Sequence, residues 1–345
     1  MVDSSWLQLK VTVGLLIVLV LGVACGSTAS KVSDAVSACS GLTLEQLKSQ
    51  DSIDDTCRKS ILSLLSSFNS NFQGKLYLTS GVINTITGRP ELYLAGVKST
   101  GEVYAASDFA AATIMVSLNS GTVTTLSSSD FTAAVASSTG SPQASVEFVL
   151  DYSASMREAD LNTAAEISSM FVTYAPPIYE AEVIAFSKTV TQRSTYSTVS
   201  SSIVGALAKD TSITRASTAL FDGVGKGVER LASRSTAAKV LFVFTDGVEN
   251  ASTTYTKSTA VSSLSSNKVF VVAVGSLFSD LSVLKELAGD RGVYLYGDEL
   301  TTIKSNIGNF MKSFENWTQV TLPASMATAK SVTVGVGGVS AGISL

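Results

Sequence analysis

Histidine is absent from the 345 residues of this chain, which removes Ser-His-Asp triads, Cys-His pairs, His-ligated zinc and imidazole acid–base chemistry at once. Any site has to be built from carboxylates and neutral oxygens. Basic charge is scarce as well: 24 Lys and Arg against 28 Asp and Glu leave a net charge of −4. No basic patch exists to displace counterions from a nucleic acid, so nucleic acid is not an expected partner. Cysteine is confined to Cys25, Cys39 and Cys57. Apolar residues are not scarce. They make up 45% of the chain, a globular composition, and the length exceeds one typical domain of roughly 100–200 residues, so two folded units behind a leader are expected.

The leader is the apolar run from Val11 to Ala24, short for a bilayer span of about 20 residues but suited to the core of an export signal. It ends in Leu21-Gly22-Val23-Ala24-Cys25, which resembles a bacterial lipobox. That resemblance implies a diacylglycerol on Cys25; a cleaved signal or a short N-terminal membrane anchor is the alternative. With Cys25 lipidated or removed, Cys39 and Cys57 remain as an even pair, which suits a disulfide in an oxidising compartment. Two unpaired thiols are the other reading. An extracytoplasmic location follows, at the cell envelope or surface, with membrane contact only through the lipid or the N-terminal anchor.

Residues 1–25 are thus read as the export or lipoprotein signal and 26–72 as a helical tether, with Leu44 and Leu47 in one short segment and Ile61, Leu64 and Leu65 in another. From 73 to 142 the texture changes to strand-like pieces broken by turn signals: Lys75 to Leu78, Glu91 to Leu94, Ala112 to Val116 and Thr122 to Leu126. A small β-sandwich is the natural solution. Between 145 and 317 strands and helices alternate, which specifies a doubly wound α/β domain with a mostly parallel sheet. The strand candidates are Val146 to Leu150, Glu182 to Phe186, Val240 to Phe244, Val269 to Val274 and Val293 to Tyr296. Apolar helical faces start near Leu161, Leu220, Leu281 and Leu300. Two further strand-like pieces, Gln319 to Leu322 and Ser331 to Val336, cannot stand alone in water. Residues 318–345 are expected to complete the sandwich begun before the α/β domain.

In an open parallel sheet, ligands bind beyond the carboxyl ends of the strands. Three such places carry oxygen ligands: Asp151-x-Ser153-x-Ser155 after the first α/β strand, Ser217-Thr218 before the helix at Leu220, and Thr245-Asp246-Gly247 after the strand at Val240. Two carboxylates and three hydroxyls, without nitrogen or sulfur, suit a hard cation such as Mg²⁺. These residues resemble the metal-ion-dependent adhesion site of von Willebrand factor A domains, and the chain as a whole resembles bacterial surface (lipo)proteins that carry one. The resemblance implies that Ser153, Ser155 and Thr218 ligate the metal directly, while Asp151 and Asp246 hold it directly or through water. Mg²⁺ is the expected ion, with Mn²⁺ or Ca²⁺ as substitutes. The remaining position is left for an Asp or Glu of a protein or matrix partner. Ala154 and Ser217 stand where the family often has glycine.

Two other roles for the same cation stay open. One is a structural envelope or pilus-assembly component in which the metal only staples the fold. The other is a metal-dependent hydrolase, for which Glu249 is the one obvious general base, although no residue found requires catalysis. Other motifs fail on their own terms. An EF-hand starting at Asp151 would need Gly and Glu where Met156 and Asn162 stand. Gly338-x-Ser340-x-Gly342 matches a hydrolase elbow literally, but there is no histidine to activate Ser340; it reads as a glycine-rich strand bend. Gly223-x-Gly225-x-Gly227 lacks phosphate-loop spacing and reads as close helix packing. Asn250 and Asn316 are glycosylation acceptors only in a eukaryotic secretory host.

Overall fold

The computed structural model describes residues 75–84, 86–100, 102–136, 144–174, 179–246, 248–276, 280–289, 292–297, 304, 308, 310–314 and 317–345. The chain divides into a unit spanning Met1–Ser70 and a unit spanning Asn71–Leu345. The leader, the helical tether and Cys25, Cys39 and Cys57 lie outside the described residues, as does Asn316.

Strands β1 (Lys75–Ile83), β2 (Pro90–Val97), β3 (Thr113–Leu118), β4 (Val123–Leu126) and β5 (Thr132–Val135) come first. Then β6 (Ala144–Asp151), α1 (Glu158–Tyr174), β7 (Tyr179–Phe186), β8 (Val190–Gln192), α2 (Ser200–Leu207) and α3 (Leu220–Ala232) follow. The order continues through β9 (Ala238–Thr245), α4 (Lys257–Ser266), β10 (Phe270–Ser276), α5 (Leu281–Ala288) and β11 (Val293–Gly297). Strands β12 (Thr318–Thr321), β13 (Ala329–Val336) and β14 (Val339–Ser344) end the chain. Lys304, Gly308 and residues 310–313 are also helical.

The middle of the chain forms a six-stranded sheet in the order β11-β10-β9-β6-β7-β8. All neighbours are parallel except β8, an antiparallel edge strand. Both faces of β6 are buried, as a parallel sheet covered by helices requires. On one face Phe148 meets Phe171 of α1 and Phe242 of β9, with ring centroids 5.9 and 5.3 Å apart, and Phe314 packs on Phe171 at 5.1 Å. On the other face α3 lies so close that a Cβ at Gly227 would sit 2.8 Å from Leu241 and 3.0 Å from Val149. Gly223 approaches the Phe186 ring in the same way, and Gly225 the Tyr255 ring. The glycine spacing is therefore helix packing.

The flanking strands form two four-stranded antiparallel sheets, β1-β2-β12-β5 and β14-β13-β3-β4. The polypeptide crosses into the α/β sheet after β5 and returns at β12, which lies between β2 and β5. Trp317, fully buried, marks the return: its indole N–H donates to Thr79 Oγ1 at 2.9 Å, that hydroxyl donates to Tyr93 O at 2.8 Å, and the Trp317 carbonyl accepts from Ala136 N at 2.7 Å. Tyr77 of β1 reaches into the α/β core, edge-on to Phe270 and Phe310.

Some elements differ from the sequence reading. The segment read as a glycine-rich bend is a hairpin: Gly337 and Gly338 have φ of 56° and 85°, the conformation a tight two-residue turn demands, and β14 follows. Helices α2 and α4 were missed because their serine-rich sequences show little apolar periodicity. Buried Ile203 and Leu207 anchor α2, while α4 buries Ala260 and Leu264 and is capped by Thr256, whose hydroxyl accepts from Thr259 N.

Gly227→Val should destabilise the protein by about 1–3 kcal/mol through overpacking. Gly205→Ala, at an exposed helix position with open space around it, should stabilise it by roughly 0.5–1 kcal/mol. Urea denaturation of both variants reads the contrast.

Candidate metal centre

The strand order reverses between β6 and β9, the two strands that lie side by side at the centre of the sheet. Their carboxyl ends are where connections leave in opposite directions and a crevice opens. Asp151 is the last residue of β6, and Asp246 follows the last residue of β9. Asp151, Ser153, Thr218 and Asp246 are all buried, at 0–3% exposure, whereas Ser155 is exposed. The structure links four of the five sequence-predicted residues directly. Asp151 Oδ1 accepts from Ser153 N at 2.6 Å, the Ser153 and Ser155 hydroxyls lie 2.9 Å apart, and Ser155 Oγ donates to Asp246 Oδ1 at 2.9 Å.

Thr218 arrives on a separate loop, which is tied down from three sides. Asn250 Oδ1 accepts from Thr218 N at 2.9 Å, and the backbone N–H groups of Asn250 and Ala251 donate to Thr218 O at 3.0 and 3.2 Å. Ser187, just after β7, accepts from Ala216 N on its hydroxyl and from Ala219 N on its carbonyl, both at 2.8 Å. Ala154 N donates to Ala216 O at 2.7 Å, and Arg215 holds the carbonyls of Ser153 and Ala154. Neither Ala154 nor Ser217 has a positive φ, so the loops do not need the glycines that these positions lack.

Several residues that matter here escaped the sequence reading. Thr245 donates its hydroxyl to Asp151 Oδ2 at 2.6 Å, leaving each oxygen of that carboxylate with a donor. Asn250, read only as a conditional glycosylation acceptor, positions Thr218. Glu249 is half-buried and its carboxylate is occupied: it accepts from Phe221 N at 3.0 Å, Ala251 N at 2.8 Å, and both the N–H and the hydroxyl of Ser252 at 2.7 Å. It is a cap on the first turn of α3. Asp222 completes the clamp by accepting from the N–H groups of Thr253, Thr254 and Tyr255. The bonds from Phe221 N to Glu249 and from residues 253–255 to Asp222 join positions about 30 residues apart, beyond the reach of a local motif.

The electrostatics favour an incoming cation. Burial pushes the Asp151 carboxyl up to about 7, and the charge on Asp246 adds to this, against the opposing bonds from Thr245 and Ser153. Burial likewise raises Asp246 to about 6, helped by Asp160 and opposed by Ser155 and Arg157. Arg157 is itself forked onto Asp160 at 2.7 and 3.0 Å. Among the described residues no group of three or more Cys, Asp or Glu side chains is placed to hold a metal. Hydroxyls must therefore supply the rest of any ligand set, and the oxygen-only donors gathered here fit a hard divalent ion.

A model of the von Willebrand factor type A (VWA) domain matches residues 146–320, half of the chain. The chain belongs to this family. VWA domains are in general interaction modules that work through a divalent metal. Similar solved structures include proximal thread matrix protein 1 from the mussel byssus with a zinc-occupied MIDAS motif, at 19% identity and a TM-score of 0.47 over 57% of this chain and 50% of that one. A von Willebrand factor type A protein from Catenulispora acidiphila matches at 12% identity and a TM-score of 0.45, over 70% of this chain and 49% of that one. BatB from Bacteroides thetaiotaomicron matches at 16% identity and a TM-score of 0.41, over 49% of this chain and 99% of that one. The matched part spans about half the length of the first two. No curated protein matches the sequence.

Two buried acids held above their ordinary range make the metal-free VWA domain less stable than its packing allows. A raised carboxyl stabilises the fold while it keeps its proton and loses that contribution as pH climbs through its folded value. Asp151→Asn should therefore raise the melting temperature of the EDTA-treated chain at pH 8 by about 2–4 °C for each kcal/mol relieved. The gain should shrink to nothing below about pH 3, where Asp151 is protonated in both states.

Proposed function

We propose that this VWA domain binds one divalent cation, Mg²⁺ by preference with Mn²⁺ or Ca²⁺ as substitutes, and uses it to capture an acidic side chain of a protein or matrix partner outside the cytoplasm. Ser153, Ser155 and Thr218 are the direct ligands, and Asp151 and Asp246 hold the ion directly or through water. The observation that carries this reading is the linkage of two buried carboxylates with the Ser153 and Ser155 hydroxyls at the switch point, beside which the Thr218 loop is tied by the bond from Ala154 N to Ala216 O. When bound, the ion supplies an electrophilic coordination position. Because the hydroxyl ligands carry no charge, an anionic oxygen is preferred there over a neutral carbonyl. The chain's own residues do the rest: Thr245 orients Asp151, Asn250 and Ser187 fix the Thr218 loop, and the Glu249–Asp222 clamp holds that loop against the segment after β9.

No observation favours catalysis, since Glu249 is consumed in capping α3. The apolar run from Val11 to Ala24 supports export, and Cys25 supports attachment by lipid, with Cys39 and Cys57 as a disulfide. No helix among the described residues is long and apolar enough to cross a membrane. Intact-mass analysis of the exported protein tests these points: a diacylglyceryl adduct on Cys25 and two thiols resistant to alkylation are expected.

Metal binding to the native state alone stabilises by RT ln(1 + [L]/Kd). The melting temperature should therefore rise with added Mg²⁺ or Mn²⁺, and Asp151→Ala or Asp246→Ala should abolish the rise; a variant that keeps it removes that residue from the site. Capture of a surface-extract partner should vanish in EDTA and fall in Thr218→Ala while the fold persists. Capture that survives both would place recognition on another surface, and a metal-dependent melting point without metal-dependent capture would reduce the ion to a staple.

A further inference from the structure

A second group of buried charges lies on the α3 face of the sheet, away from the candidate metal centre. Glu147 of β6 and Glu182 of β7 are directly opposed in the parallel register, and both are fully buried. Parallel strands run about 4.8 Å apart, so two carboxylates share a space without bulk water. Gly227 of α3 leaves the room: a Cβ there would approach Glu147 Cγ to 3.3 Å. Strand β9 faces Glu147 with apolar Leu241.

The cations around this pair are already assigned. Arg230 of α3 forms an ion pair with Glu182 Oε1, which also accepts from Gln192 Nε2 of β8 at 2.9 Å. Arg234 forks onto Glu180 at 2.6 and 2.7 Å, and Lys226 pairs with Glu229. Among the described residues Glu147 has no cation of its own, and its Oε2 accepts from the Tyr196 hydroxyl at 2.8 Å. Glu147 Oε1, Glu182 Oε2 and Arg230 Nε are buried with no hydrogen-bond partner among the described residues. Two acceptors on directly opposed residues lack a donor, and a proton on one of them supplies it.

We propose that Glu147 and Glu182 form a proton-binding site, a carboxyl–carboxylate pair in which Glu147 keeps its proton at neutral pH and donates it to Glu182. A single buried negative charge then remains, and Arg230 neutralises it. The alternative, two ionised acids with one guanidinium, buries an uncompensated charge, which proteins avoid by neutralising the group. Burial and the neighbouring Glu182 charge push Glu147 well above the ordinary glutamate range, while Tyr196 and Arg230 oppose that shift. Loss of the proton sets like charges against each other between β6 and β7. A cavity of about 450 Å³ lies beside the pair, sharing Tyr196 and Arg230 with it and lined also by Lys226, Glu229 and Arg234. The site is a latch that closes the Tyr196 segment and α3 over the sheet while protonated.

Because the folded value of Glu147 lies above its unfolded value, the contribution is fully present below about pH 4.3, the ordinary glutamate pKa, and is lost as pH rises through the folded value. Melting temperatures of the full chain in EDTA, measured from acid to alkaline pH, should show that loss in the wild type and not in Glu147→Gln, so that the variant's advantage grows with pH. Tyr196→Phe removes a bond that favours the charged form and should move the loss to higher pH. Carbon-13 NMR of protein labelled at glutamate Cδ separates glutamates from Asp151 and Asp246. One resonance should remain at its protonated position at pH 7 and be missing from Glu147→Gln. Parallel melting profiles for wild type and Glu147→Gln overturn the proposal. So does a wild-type spectrum in which every glutamate titrates in the ordinary range, and that result stands whether or not the variant folds.

Discussion

Parallel pairing of β6 with β9 is the constraint on which the rest depends. It places Asp151 and Asp246 at neighbouring strand ends where the chain departs in opposite directions, and it buries both. A carboxylate removed from water costs several kcal/mol unless something offsets it. The surrounding loops answer with donors: Ser153 N and Thr245 Oγ1 on Asp151, and Ser155 Oγ on Asp246. These bonds lower the cost without cancelling it, which leaves a centre complementary to a dication.

The same problem is met differently on the α3 face. There Glu182 has Arg230 of α3 and Glu180 has Arg234 of the segment just after it, and Glu147 is left over. Helix α3 thus serves both ends of the sheet. Its first turn is clamped by Glu249 to the loop that carries Asn250, its last turn carries Arg230 against the buried acids, and Arg234 follows just past its end. Its glycines permit this, since Gly223 and Gly227 let the helix lie directly on Phe186, Val149 and Leu241.

The flanking sheets give the α/β sheet a second boundary. Strand β12 lies between β2 and β5, so the chain leaves and re-enters the antiparallel sheets on adjacent strands, and the Trp317 indole ties the return to Thr79. The two ends of the α/β segment are thereby held close together. Tyr77 and Ser80 of β1 extend the contact: the Tyr77 ring meets Phe270 and Phe310, and the Ser80 hydroxyl donates to Ala237 O at the foot of β9.

What the sequence by itself determined is whatever depends on local order. Runs such as Val240 to Phe244, short and β-branched or aromatic, specify strands buried on both faces, and alternation with amphipathic helices specifies a parallel sheet. The Asp151-x-Ser153-x-Ser155 spacing names one loop as oxygen-rich, and the absence of histidine narrows the chemistry before any coordinate is known. Helices α2 and α4 were not legible, because their serine-rich faces acquire meaning only where Ile203, Leu207, Ala260 and Leu264 find a core. Tertiary structure alone decided the partners: Thr245 for Asp151, Asn250 for Thr218, four N–H and O–H donors for Glu249, and Glu182 opposite Glu147. Apart from the Ala251 and Ser252 donors, which are local to Glu249, each of these is a contact between segments brought together by strand register and helix packing, and spacing along the chain carries no trace of it.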